Sequence, residues 1–288
     1  MKQKIVFFGN TQHSLIGLKV INKEIGIFHV VTIENSPIEK FAREENIPST
    51  VTKTLDEQTV KNLEKLTPDF LVVEDYGLIL PDSLLNIPKY APLNIHHSLL
   101  PEYRGPSPVP SAILAGEKIT GVSIIKMTAE VDAGDILAQT SYEMNGTETT
   151  DSLLIILNKL GAKLLVDVIN NYDEFLKKTK KQTLPKTKYT DRMTRESGLI
   201  DLKNPPNPQI LDRMIRAYYP WPTVWMKWKM ENALRSSEPK DLRKKLKIVK
   251  LLPNKRIQVE GKRVMDYKNF VNGYQQQGED LLKKLNLI

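Results

Sequence analysis

Cysteine is missing from all 288 positions, so disulfides, thiolate metal sites and cysteine nucleophiles are excluded at the outset. Histidine is nearly as scarce. The four present, His13, His29, His96 and His97, show no His-x-x-x-His or His-Glu helical spacing, and a catalytic metal is therefore not expected. Gly9, after the first apolar run, is not followed by the rest of a Gly-x-Gly-x-x-Gly pattern, so there is no dinucleotide fingerprint. No apolar run approaches the roughly 20 residues of a membrane span, and the N-terminus lacks the apolar core of a signal peptide. A cytoplasmic protein is the expectation.

What the chain has instead is charge, unevenly placed. Residues 1–176 carry 15 Lys and Arg against 23 Asp and Glu, net −8, whereas residues 177–288 carry 27 against 11, net +16. The basic part contains Lys177-Lys-Thr-Lys-Lys181 and Arg243-Lys-Lys-Leu-Lys247, with aromatics at Tyr218, Tyr219, Trp221, Trp225 and Trp228. Any single lysine run reads better as a solvated helix face, and the tryptophans as core. A whole domain of this charge points to a polyanionic partner such as nucleic acid.

The length suits one α/β domain of about 180 residues plus a smaller one. Strand-like runs at 4–8, 29–33, 70–73, 93–96 and 122–127 alternate with helix-like segments at 15–22, 38–45, 56–66, 108–114 and 151–170. That alternation predicts a Rossmann-like, doubly wound and mostly parallel sheet. Prolines at 185, 205, 206 and 208 mark a linker. The expected division is a catalytic domain over 1–182, a linker over 183–208 and a basic C-terminal domain over 209–288. Gly161, inside the helix-like run 151–170, reads as a packing position.

One stretch carries the chemistry: Asn94-Ile-His-His-Ser-Leu-Leu-Pro-Glu-Tyr-Arg-Gly105, followed by Val131-Asp-Ala-Gly-Asp135. Asn94 and His96 stand two residues apart at the end of a strand, so both side chains share a face and can aim at one oxygen. Asp132 arrives 38 positions after Asn94, at a distance that lets a neighbouring strand return a carboxylate to the same place. Amide, imidazole and carboxylate are the groups that move an acyl unit onto an amine without a covalent enzyme intermediate. An isolated Asn-x-His is more often a hydrogen-bonded core pair. The whole compound pattern is much harder to meet by accident. By the same period-2 geometry, His97 should point to the opposite face.

This compound pattern resembles the signature of the folate-dependent formyltransferases. The resemblance implies Asn94, His96 and Asp132 as the catalytic trio. It implies Ser98, Leu99, Leu100 and Pro101, with Tyr76 and Gly77 of the segment Val72-Val-Glu-Asp-Tyr-Gly-Leu-Ile-Leu-Pro81, as contacts to a 10-formyltetrahydrofolate donor. Asp75 becomes a hydrogen-bond candidate beside that donor, and Arg104 either holds a glutamate tail or phosphate or forms a structural salt bridge. Asp135 is taken as a turn or strand cap.

Later segments are similar to the members of the family that act on methionyl transfer RNA: Gly198-Leu-Ile-Asp201, Arg213-Met-Ile-Arg-Ala-Tyr-Tyr-Pro-Trp-Pro222 and Phe270-Val-Asn-Gly-Tyr274. They imply initiator methionyl-tRNA and tetrahydrofolate as partners; a monomer is expected. Amino-sugar nucleotides remain an alternative acceptor, and a non-catalytic RNA-binding role or a formate-releasing hydrolase are further rivals. Three departures from the family stand out. The first turn reads Gly9-Asn-Thr-Gln-His13. The basic loop expected between 31 and 41 is absent. Between Trp228 and Ile257 only one strand, at 246–251, is readable, which predicts a shortened OB-like, β-rich C-terminal domain.

Overall fold

A computed structural model describes residues 3–182, 189–231 and 244–288. In chain order its strands and helices are β1 (Ile5–Phe8), α1 (Gln12–Glu24), β2 (His29–Thr32), α2 (Pro37–Glu44), β3 (Ser49–Val51), α3 (Glu57–Glu64), β4 (Phe70–Val73), α4 (Asp82–Leu85), β5 (Ala91–His96), α5 (Pro108–Ala115), β6 (Ile119–Lys126) and β7 (Ile136–Glu143). Then follow α6 (Thr150–Asn170), α7 (Tyr172–Lys177), α8 (Pro208–Ala217), β8 (Val224–Glu231), β9 (Lys244–Leu252), β10 (Arg256–Val259), β11 (Met265–Asp266) and α9 (Tyr267–Lys284).

Two compact units emerge. The first comprises residues 1–108, 118–144 and 152–191; the second comprises 109–117, 145–151 and 192–288. The first unit holds a seven-stranded sheet in the order β3-β2-β1-β4-β5-β6-β7. Its first five strands are parallel, and β6 and β7 are added antiparallel. This is the doubly wound, mostly parallel architecture expected. β1 and β4 are fully apolar runs, and these two strands and β2 are buried along their whole length, as strands covered on both faces require. The order reverses between β1 and β4, so a crevice opens beyond their carboxyl ends.

Local sequence explains the helix starts that surround this crevice. Thr11 and Ser14 cap α1 reciprocally, each side chain accepting the other's backbone N–H, which satisfies two otherwise orphaned donors. Ser36 caps α2 with Pro37 in the first turn. Only residues 33–36 join β2 to α2, so the basic loop absent from the sequence is replaced by a tight turn with Asn35 at φ 60°. Gly161 lies where a Cβ would come within 2.6 Å of Ile95 Cγ2, so its absence lets α6 press onto β5.

The second unit contains a four-stranded antiparallel sheet, order β11-β10-β9-β8. β8 and β9 are long partners, running from Val224 opposite Leu251 to Glu231 opposite Lys244. Sequence alone shows only the second of these, because the alternating Val-Trp-Met-Lys-Trp-Lys run of β8 stands out first as an aromatic cluster. Trp225 and Trp228 are buried, as is Tyr218, whereas Trp221 is 58% exposed. The buried tryptophans are thus core: Trp225 Nε1 donates to the Arg195 carbonyl at 2.8 Å, and Trp228 packs on Phe270 and Tyr274 with centroids 5.6 and 5.3 Å away. Part of the expected linker, 183–188, and Arg243 of the second basic run lie outside the described residues. Among the described residues no helix is long and apolar enough to cross a membrane.

Candidate active site

A cavity of about 520 Å³ lies at the carboxyl ends of β1, β4 and β5, entirely within the first unit. Thr11 and His13 reach it from the turn after β1, and Asp75, Tyr76 and Gly77 from the turn after β4. Asn94, His96 and His97 reach it from β5, and Asp132 closes it from the loop between β6 and β7. Apolar wall is supplied by Val73, Leu80, Ile125 and Met127. The volume falls in the range of small-molecule sites, roughly 300–1,000 Å³.

Asn94, His96 and Asp132 meet. Asn94 Nδ2 donates to Asp132 Oδ1 at 3.2 Å, and His96 Nδ1 stands 3.6 Å from Asp132 Oδ2. The same Oδ2 accepts the Gly105 backbone N–H at 2.9 Å. On the far side of the ring, His96 Nε2–H donates to the Tyr103 carbonyl at 3.0 Å. Each ring nitrogen therefore faces an oxygen, and a proton arriving on His96 is held between two acceptors.

Asp132 sits at φ +51°, a left-handed conformation that costs a non-glycine residue energy and is kept only where surroundings over-determine it. Those surroundings are visible. Gln182 Nε2 donates to the carbonyls of Asp132 and Gly134 at 2.9 and 2.6 Å. Its Oε1 in turn accepts from Arg104 Nε and Nη2 at 2.9 and 2.6 Å. Arg104 is fully buried, with Glu130 3.9 Å from its Nη1. Its charge is spent inside the protein, on the loop that presents Asp132. Nothing in the sequence separates Gln182 from other surface glutamines.

The turn after Asn94-Ile-His96 runs inward. Ser98 is buried and donates to the Glu102 carbonyl at 2.6 Å, while the Leu100 N–H donates to Ser123 Oγ at 3.0 Å. Ser98, Leu99, Leu100 and Pro101 do not line the cavity, whereas Tyr76 and Gly77 do. Asp135 precedes β7, and its carbonyl accepts from the Lys126 N–H at 2.9 Å.

Behind the cavity lies a group that the sequence motifs do not single out. Glu74 is fully buried, and Gly17 of α1 makes its room: a Cβ there would collide with the carboxyl. Burial, and secondarily the neighbouring Asp75 charge, push the Glu74 carboxyl well above the usual carboxylate range. His97 faces this side of the sheet, away from Asn94 and His96 as period-2 geometry requires, with Nε2 3.7 Å from Glu74 Oε1 and Nδ1 3.7 Å from Asp75 Oδ1. Burial lowers the proton affinity of its imidazole; Asp75 opposes that shift, and His96 and His13 add to it. The one signal in the sequence is a glutamate ending the apolar run 70–73.

Fold and cavity together define a doubly wound enzyme with an amide, an imidazole and a carboxylate gathered at the strand ends, the class that comprises the formyl transferases. The sequence profile of the family described as formyl transferase matches residues 13–169. A methionyl-tRNA formyltransferase from Thermodesulfovibrio yellowstonii is 31% identical, over 95% of this chain and 96% of the relative. One from Treponema denticola is 34% identical, over 76% of this chain and 73% of the relative. The chain belongs to the methionyl-tRNA formyltransferase family. Among solved structures, HypX from Aquifex aeolicus in complex with tetrahydrofolic acid superposes with a TM-score of 0.61 at 15% identity, covering 96% of this chain and 48% of that one, a likeness of fold alone. No group of three or more His, Asp or Glu suited to a metal ion occurs among the described residues.

Proposed function

We propose that this chain transfers the formyl group of 10-formyltetrahydrofolate to the α-amino group of methionyl initiator tRNA, the step that readies the initiator for translation. The observation that carries the reading is the meeting of Asn94, His96 and Asp132 at the cavity, in a chain that aligns with methionyl-tRNA formyltransferases along nearly its whole length. The cavity's volume and its mixed apolar and polar wall fit a folate-derived donor. Tyr76 and Gly77 would hold it directly. Ser98, Leu99, Leu100 and Pro101 would act by shaping the turn behind the wall.

In the transfer, a bond forms between the acceptor nitrogen and the formyl carbon, and the bond from that carbon to the donor nitrogen breaks. Negative charge grows on the formyl oxygen between these events. Asn94 and His96 share a strand face: Asn94 supplies an N–H donor to that oxygen through the Nδ2 hydrogen not directed at Asp132, and His96 does so once its Nε2–H exchanges the Tyr103 carbonyl for it, which lowers the barrier. The attacking amine must shed a proton. Asp132 takes it as the base beside His96 and passes it to the imidazole, which delivers a proton to the departing nitrogen. The monomeric state and the domain division 1–182, 183–208 and 209–288 belong to the same reading.

The basic half supports a tRNA acceptor. In β8, Lys227 and Lys229 are exposed and alternate with buried Met226 and Trp228, and Arg256, Lys262 and Arg263 are exposed further on. A second reading, an amino-sugar nucleotide acceptor, is favoured by one observation, the four-residue turn at 33–36 in place of a basic loop. Transfer of labelled formyl to charged initiator tRNA, with uncharged tRNA, elongator methionyl-tRNA and amino-sugar nucleotides in parallel, decides between them. Turnover on the charged initiator alone is the expected result; turnover only on a sugar nucleotide would replace the reading.

A further inference from the structure

Glu74, His97 and Asp75 form a line from the protein interior to the cavity wall. Glu74 is fully buried, His97 is 4% exposed, and the Asp75 side chain is 29% exposed and lines the cavity. Among the described residues, five buried side-chain polar atoms have no hydrogen-bond partner, and three of them are Glu74 Oε1, Glu74 Oε2 and His97 Nε2. Orphaned polar atoms are costly inside a protein and call for an explanation. Two carboxylates flanking one imidazole cannot all be ionised in so dry a place.

A neutral Glu74 carboxyl with its O–H directed at His97 Nε2, 3.7 Å away, gives two of these orphans a partner, and Asn158, whose Oδ1 is a further orphan, also faces the ring. Nε2 must then lack a proton, so the ring's hydrogen sits on Nδ1 and is directed at Asp75 Oδ1. Asp75 keeps its charge, with Thr11 Oγ1 3.5 Å from its Oδ2. It also stands at φ +48°, a strained backbone for a residue that must be aimed. The charged and titratable groups around His97 are Glu74 and Asp75 from the turn after β4, His96 from β5 and His13 from α1.

We propose that Glu74 and His97 are positioning residues which hold Asp75 as an oriented anionic acceptor in the cavity, where it binds an N–H-bearing group of a ligand. The inference rests on the formyl-transfer reading for the ligand's identity. Two participants carry such chemistry: the amino-substituted ring of the folate donor and the α-ammonium of the acceptor.

Steady-state kinetics of Asp75→Asn, with the donor and the acceptor varied in turn, separates these two sources. The Michaelis constant of one of them should rise about tenfold or more, the loss typical of a hydrogen bond to a charged group, with kcat within about threefold of wild type. Unchanged constants for both would overturn the proposal. Glu74→Leu should reproduce the rise and Glu74→Gln should not, since the amide can still donate to Nε2; equal behaviour of the two would defeat the positioning role. Nitrogen-15 NMR of His97 in the unaltered protein gives a readout that needs no variant. A neutral ring protonated on Nδ1 at pH 7 is expected, and an Nε2–H tautomer or an imidazolium would overturn the relay. Should the wild type transfer no formyl group at all, the proposed function falls while the tautomer still reports on the relay.

Discussion

At the scale of single residues, the cavity depends on groups whose neighbours have been arranged around them. On the proposed mechanism Asn94→Ala removes an N–H donor to the formyl oxygen, and kcat should fall about 10²- to 10³-fold with an unchanged circular-dichroism spectrum. Gly17→Ala tests the space beside Glu74. Its Cβ would overlap the buried carboxyl, so a loss of about 1–3 kcal/mol is expected. Combining it with Glu74→Ala should recover much of that loss, because the clash disappears; denaturant unfolding of both single variants and the double variant reads the coupling.

The Glu74 carboxyl also carries a pH signature. Its folded value is raised above the ordinary glutamate value of 4.5, so between the two the native state holds a proton that the unfolded chain has released. Stability should therefore fall as pH rises through that interval, by up to about 1.4 kcal/mol per pH unit. His97 acts in the opposite sense: its lowered value makes stability fall as pH drops below 6.5. In Glu74→Gln the high-pH decline should disappear, which melting curves at pH 5 to 8 would register as a growing advantage over wild type. No such advantage would mean that Glu74 is ionised in the fold.

At the scale of elements, the site is a set of strand ends joined by one clamped loop. β5 is legible in the sequence because Asn94 and His96 lie in a short apolar run with a diagnostic sequel, and periodicity alone puts His97 on the other face. β7 is not legible. Only Ile136 and Leu137 are buried in it, and the remainder is the half-exposed edge of the sheet, without a continuous apolar run. Arg104 is expected to meet a tail, a phosphate or a salt-bridge partner; it has the last of these in Glu130, 3.9 Å away, and is also buried against Gln182, 78 residues away, a pairing that no local pattern announces. That pairing yields a prediction for the whole loop. Gln182→Ala removes the two N–H bonds that fix the carbonyls of Asp132 and Gly134 and strips the buried guanidinium of its main acceptor. Stability should drop by about 1–3 kcal/mol, and kcat should fall more than the Michaelis constant changes, since Asp132 would lose its strained, aimed backbone. Loss of stability with unaltered kcat in the folded fraction would show that the clamp serves packing only.

At the scale of the whole molecule, the proposed function assigns chemistry to the acidic first part and capture of the acceptor to the basic second part. The cavity lies wholly in the first unit, and the excess of 27 basic over 11 acidic residues lies in 177–288. Charge of this kind is visible in sequence whatever the fold, which is why a polyanionic partner can be argued before any strand is placed. A nucleic-acid acceptor releases condensed counterions when it binds, so log affinity should decline steeply and linearly with log salt concentration, by roughly 0.7 to 0.9 for each phosphate neutralised. The Michaelis constant for charged tRNA should thus climb sharply between about 50 and 200 mM salt. The constant for the folate donor, assigned by the same reading to the partly apolar cavity, should hardly move. Replacing the exposed Lys227 and Lys229 with glutamine should reduce the tRNA slope by about one for each phosphate that these lysines neutralise, with no effect on the donor. A shallow slope for the acceptor in the unaltered protein would instead fit a small phosphorylated substrate, and would leave the basic surface without a role in this reaction.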